Sequence, residues 1–190
     1  MSATTNDPIV KLHKKLLNIR KEVEFRNLII NIFKRNGLEI DNEHGSLEEG
    51  ADMIFDMKPN LDFMGLGQYI LVQVKIGEIN TKHWRSSIHS QLVELYDRKI
   101  SILGKSYNFN QSRRIFLVTT GEINGSVKKK IETWNERRYI PIEAMDGYRF
   151  SKFLIEIFYY EIEHFDEDLL ASKQIQKLGN SPVRKKIKSK

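Results

Sequence analysis

Apolar residues return every three or four positions from the first turns of the chain onward: Ile9, Leu12, Leu16, Ile19 and Val23, then Phe25, Leu28, Ile29, Ile32 and Phe33, up to Gly37. This spacing predicts a helix over 8–36, bent or broken in two. Asp7 serves as its cap and Pro8 stands in its first turn. The polar run 41–50 reads as a loop, 51–57 as a strand and 58–68 as a Pro/Gly-containing connection. Residues 69–75 (YILVQVK) are short, β-branched and apolar, the clearest strand signal in the chain. A helix follows over 85–98, with Ile88, Leu92, Leu95 and Tyr96 inward. Then come a buried strand over Arg114–Thr120, closed by Gly121, and a helix over 124–137 on Val127, Ile131 and Trp134. A short strand Tyr139–Ile142, a turn at Asp146-Gly147 and a last helix over 149–164 complete the pattern. The order α-β-β-α-β-α-β-α predicts a three-layer α/β fold, a central mixed sheet flanked by helices. No internal repeat stands out. After Leu170 the pattern lapses, so 1–170 reads as one domain and 171–190 as a disordered basic tail.

Composition narrows the chemistry. Of 190 residues, 40% are hydrophobic and 29% charged, a globular balance. The chain has no cysteine, which excludes disulfides, thiol nucleophiles and Cys-ligated zinc or iron–sulfur centres. The net charge of +6 invites nucleic acid as a partner. Seven of the basic residues sit in 171–190 with no acid among them, leaving 24 basic against 25 acidic residues in 1–170. The body is therefore near neutral, and bulk charge does not identify its partner. No basic segment followed by an apolar run opens the chain, and no apolar stretch approaches the roughly 18 residues of a membrane span. A soluble, cytoplasmic protein is expected.

Side chains alternate along a strand, so Tyr69, Leu71, Gln73 and Lys75 share one face, and Ile70, Val72 and Val74 the other. A Gln and a Lys thus stand two residues apart at the strand's C-terminal end. If the preceding strand pairs antiparallel, Asp52 at its start converges with them. A hard divalent ion takes oxygen ligands, here a carboxylate of Asp52, the Gln73 amide oxygen and the Val74 main-chain carbonyl. Lys75 would orient a water or stabilise developing negative charge. The plainer readings are that Asp52 caps a turn and that Gln73 and Lys75 are polar residues of an edge strand. Asp56 shares the face of Asp52 deeper along the strand. His83 and His89 are too awkwardly spaced for a zinc pair, and Ser86, Ser87 and Ser90 lack a base. Lys82-His83-Trp84-Arg85 and Lys128-Lys129-Lys130 are solvated helix faces or phosphate contacts.

Gly50-Ala51-Asp52-Met53-Ile54 followed by Val72-Gln73-Val74-Lys75 resembles the PD-(D/E)xK nuclease superfamily, in particular the Mrr-type restriction endonucleases with their D…QxK motif. Phe25–Gly37 resembles that family's first helix, Ile115–Gly121 (IFLVTTG) its following VTTG strand, and Ile140–Leu154 its closing DG strand and helix. The resemblance implies a restriction-endonuclease-like fold and a Mg²⁺-dependent DNA endonuclease, with Mn²⁺ able to substitute. Asp52, Gln73 and Lys75 would be catalytic, and Asp52, Gln73 and Val74 would hold the metal. It implies a role in defence against foreign DNA, RNA remaining open as substrate, and a homodimer or a separate recognition subunit. The chain departs from the family where its first helix carries Glu. That position is Arg26, with Glu22, Glu24, Glu48 and Glu49 as candidate replacements. The departure keeps open an inactive nucleic-acid-binding module or a subunit of a larger complex.

Overall fold

Seven α-helices and seven strands account for most of the residues that the computed structural model describes: 7–43, 53–56, 69–97, 101–102, 105–106 and 113–179. The first predicted helix is two. Asp7 caps α1 (Pro8–Leu17), accepting from the Ile9 amide at 2.9 Å. The helix α2 (Glu22–Arg35) stops where Gly37 takes φ +84°, and the Leu38 amide folds back onto the Phe33 carbonyl. Strands β1 (Glu39–Glu43), β2 (Met53–Asp56) and β3 (Tyr69–Lys75) follow. One continuous helical stretch then holds α3 (Thr81–His83), a π turn (Trp84–Ile88) and α4 (His89–Asp97). A two-stranded ribbon, β4 (Ser101–Ile102) with β5 (Lys105–Ser106), precedes β6 (Arg113–Thr119), α5 (Gly125–Arg137), β7 (Ile142–Met145) and α6 (Gly147–Glu156). A 3₁₀ turn at Ile162–His164 leads into α7 (Phe165–Gly179).

The main sheet has the order β1-β2-β3-β6-β7. Its β1–β2 and β2–β3 pairs are antiparallel; β3–β6 and β6–β7 are parallel. The predicted α/β class and mixed sheet are thus what the chain forms. Ile70, Val72 and Val74 enter one core with residues of α1, α2, α6 and α7, among them Leu12, Phe33, Phe150 and Phe165. Leu71 enters a second core with Trp84, Ile88, Leu92, Val127 and Ile131 from the other helix layer. Burial of these apolar faces on both sides of the sheet makes the three layers. No helix among the described residues is long and apolar enough to cross a membrane.

Several boundaries differ from the sequence reading, each for a local reason. Residues 41–43 belong to β1 rather than a loop; as an outermost strand it tolerates the polar sequence Asp41-Asn42-Glu43. The last strand is Ile142–Met145, not Tyr139–Ile142. Tyr139 is almost fully exposed, Pro141 has no amide to donate, and the Asn135 side chain brackets both the amide and the carbonyl of Ile142. Asp146-Gly147 is a helix start rather than a free turn: Asp146 accepts from the Arg149 amide at 2.9 Å. The helix over 149–164 ends at Glu156, and the chain reverses through Tyr159 at φ +50°.

The tail boundary at 170/171 falls inside α7. Two of that helix's inward positions are polar, Asp168 and Ser172, which hides its periodicity. Both are occupied. Asp168 accepts from Arg35 at 2.8 Å and from the Tyr160 hydroxyl at 2.9 Å, and Asn27 donates to the Ser172 carbonyl. Burial and the bond to Asp168 push the Tyr160 pKa upward.

Candidate active site at the end of the central strand

β3 is the middle strand of five, so Gln73 and Lys75 are not the polar residues of an edge. Gln73 is 1% exposed. Its Nε2 donates to Gln91 Oε1 of α4 at 2.7 Å, and its own Oε1 is buried with no hydrogen-bond partner among the described residues. A buried carbonyl oxygen left in this state costs on the order of 1–3 kcal/mol. Gln91 is a participant that the sequence reading missed. Only its position on the inward side of a helix, one turn from the buried Ile88 and next to Leu92, signals it.

Lys75 ends β3, its side chain one-fifth exposed, and its Nζ lies 3.3 Å and 3.5 Å from the two carboxylate oxygens of Glu22. Glu22 is the first residue of α2, so the break between α1 and α2 is what brings it to the strand end. Of the four glutamates considered, Glu22 is brought to Lys75. Glu24 turns instead toward Lys21, 3.9 Å away, and Glu48 and Glu49 lie outside the described residues. Arg26 follows one turn after Glu22 on α2.

Val74 is fully buried and registers with Val118 of β6. On the other side the described ladder begins at Met53 opposite Val72, so β3 runs three residues beyond it. Asp52 precedes Met53 in the chain and lies outside the described residues. The antiparallel pairing that its convergence with Gln73 and Lys75 required is present. Asp56 registers with Tyr69, six residues along β3 from Lys75, or about 20 Å at strand rise. That places it at the opposite end of the strand, away from the candidate site.

The turn beyond Lys75 is clamped by the next strand's end. The Thr120 amide donates to the Lys75 carbonyl at 3.3 Å, the Gly77 amide to Thr120 Oγ1 at 2.9 Å, and Thr119 Oγ1 to the Gly77 carbonyl. A Cβ on Gly121 would stand 2.5 Å from the Gly77 carbonyl carbon, so Gly121 is what lets the two loops touch. The Gly147 amide donates to the Gly121 carbonyl at 2.9 Å, and a Cβ on Gly147 would collide with the Thr120 carbonyl. The Val118-Thr119-Thr120-Gly121 and Asp146-Gly147 segments therefore fasten the loop that carries Lys75.

This packing exposes a short repeat that the sequence reading overlooked. Gly77-Glu78-Ile79-Asn80 and Gly121-Glu122-Ile123-Asn124 are identical tetrapeptides. They follow β3 and β6 at equal offsets, since Lys75 registers with Thr119. Ile79 and Ile123 form a parallel bridge, and Asn80 and Asn124 each cap the helix that follows.

Among the described residues no three His, Cys, Asp or Glu side chains gather. The oxygen donors at the strand end are the partnerless Gln73 Oε1 and the Glu22 carboxylate, in kind the set a hard cation takes. The described part of the site thus joins a buried acceptor, a cation and a carboxylate within one loop-braced strand end.

No family model and no curated protein matches the chain. Among solved structures, one described as MspJI restriction endonuclease in complex with a 27-mer oligonucleotide is similar over 90% of this chain, at 14% identity and a TM-score of 0.44. The match covers 36% of that chain, so this protein spans just over a third of its length.

Proposed function

We propose that the protein is a metal-dependent endonuclease that hydrolyses phosphodiester bonds in DNA, a restriction-endonuclease-like enzyme of the D…QxK kind. The observation that carries the reading is Gln73: a buried amide on a central strand, its nitrogen satisfied and its oxygen left over, two residues before Lys75. A fold-only role leaves that oxygen unexplained; a bound cation or its water would satisfy it. The resemblance of Asp52, QxK, VTTG and DG, in that order along the chain, supports the same reading.

Asp52, Gln73 and the Val74 carbonyl would hold a Mg²⁺ ion, Mn²⁺ serving in its place. Such an ion supplies Lewis-acid polarisation of the phosphate and a more acidic bound water. Gln91 fixes the Gln73 amide so that Oε1 is the atom presented. Lys75 offers its ammonium to the negative charge that develops on the phosphate oxygens. Glu22 holds that ammonium at the strand end and stands in for the family's helix glutamate. DNA is the partner, with a second copy or a recognition subunit supplying target choice, and defence against foreign DNA is the role the resemblance implies.

Plasmid and linear single- and double-stranded DNA and RNA, incubated with Mg²⁺ or Mn²⁺, test the reading. Wild type should nick DNA, chelation by EDTA should abolish it, and Asp52→Ala and Lys75→Ala should each lower it at least a hundredfold. Unchanged cleavage by both variants would sink the assignment. A second reading, a binding module without cleavage, is motivated by Arg26 at the glutamate position. It gains if wild type shifts DNA in a gel yet never cuts it.

A further inference from the structure

A cleft of about 680 Å³ opens between the α3–α4 stretch and α5, and its lining includes none of Glu22, Gln73 or Lys75. Its walls are aromatic and its rim is cationic. Trp84 and His89 are tilted 58° to one another at 5.7 Å between ring centroids, and His89 meets Trp134 edge-on at 5.7 Å. The π turn makes the first pairing possible. Residues five apart in an α-helix diverge by about 140° at 3.6 residues per turn. The wider π turn, closed by the His89 amide on the Trp84 carbonyl, brings them over one another.

Four cations line the same cleft from α5 and its end: Lys129, Lys130, Arg137 and Arg138, with no acidic residue among the lining. No ion pair holds Lys129, Lys130 or Arg137 among the described residues, and Arg138 lies over the Trp134 ring at 4.9 Å. Lys129 and Arg138 are nine residues apart, about 13 Å along a helix. That is longer than one phosphate group and suits successive phosphates of a strand. His89 is exposed, so an aromatic face is available to a base that is not already stacked in a duplex.

We infer that this cleft is a binding site for single-stranded nucleic acid, taking an unpaired base against His89 and the adjacent strand phosphates on the α5 cations. It goes beyond the nuclease reading and does not depend on it. The chain's two tryptophans, Trp84 and Trp134, both line the cleft, so their emission reports on it directly.

The test is a titration of the full chain, in EDTA so that no cleavage intervenes, with a 12-nucleotide oligo-dT, a duplex of the same length, and free dTMP. Saturable quenching by the single strand is expected, at least tenfold tighter than by the duplex and far tighter than by dTMP. Lys129→Glu with Lys130→Glu should weaken it at least tenfold and reduce the salt slope by about 1.4. His89→Ala should weaken it several-fold, and Lys152→Ala on α6, in the other helix layer, should leave it unchanged, which separates the cleft from a general response to charge. Absence of quenching would overturn the inference. So would equal response to dTMP, tighter duplex binding, or wild-type affinity in the double lysine variant.

Discussion

The ends of β3 and β6 are two versions of one construction. Both strands are parallel, both run into Gly-Glu-Ile-Asn, and both deliver the chain into an Asn-capped helix. Gln73 registers with Leu117 and Lys75 with Thr119. The β6 version is content with a fully buried leucine and a buried threonine whose hydroxyl braces the neighbouring loop. The β3 version carries an amide with an orphan oxygen and a lysine tied to a distant helix. Since the same local architecture works with Leu and Thr, the fold does not require Gln and Lys. Their presence at some energetic cost is what the proposed chemistry would account for.

Several measurements would break or sharpen this contrast. The largest effect expected is catalytic. Lys75→Ala should lower Mg²⁺-dependent cleavage per folded molecule by 10²–10³, about 3–4 kcal/mol of transition-state stabilisation, while its unfolding midpoint changes little. Its half-buried ion pair with Glu22 is worth on the order of 1 kcal/mol. Comparable loss of activity per folded molecule in Thr119→Ala would erase the distinction between the two strand ends.

Next in size are the two glycines of the repeat. Gly121→Ala drives a Cβ into the Gly77 backbone and should cost about 3 kcal/mol in urea unfolding. Gly77→Ala meets open space but must keep φ +73°, and should cost about 1–2 kcal/mol. A reversed order would mean that the loops do not touch as described. Gln73→Leu copies Leu117 into β3. It should be about 1 kcal/mol more stable in thermal unfolding, or at worst equal, yet cut poorly. A clear loss of stability would show the amide to be structural. The smallest effect belongs to the caps: Asn80→Ala and Asn124→Ala should each cost about 1 kcal/mol, and by similar amounts.

Much of this architecture was legible in the chain because its strongest signals are local. Tyr69–Lys75 was read to the residue, for an apolar β-branched run bounded by turn formers has few alternatives. Asp7-Pro8 and Gly37 announced their helix ends for the same reason. What failed depends on partners far away. Residues 171–179 carried no readable period because Asp168 and Ser172 are buried by bonds to Arg35 and Asn27, 133 and 145 residues away, and to Tyr160, eight residues back. The delayed start of β7 follows from the Asn135 side chain taking both backbone groups of Ile142, and the helix end before Tyr159 is closed by the Ile157 and Tyr160 amides on the Phe153 and Leu154 carbonyls. At the site, QxK was visible as spacing. That Glu22 rather than Glu24 meets Lys75 depends on how two helices break apart, and Gln91 on a crossover that no motif records.

The docking of α7 on α2 also has a temporal side. Asn27, Asn31 and Arg35 reach partners 145, 137 and 133 residues further along the chain. Such long closures are slow to form and come late in assembly. During synthesis these three side chains of α2 lack their partners until residues 165–179 have left the ribosome. The side of the first core between α2 and α7 is therefore among the last to close, so nascent chains that stop short of residue 165 should leave it open. A chain that matures in this order leaves the buried polar ties of α2 to the end.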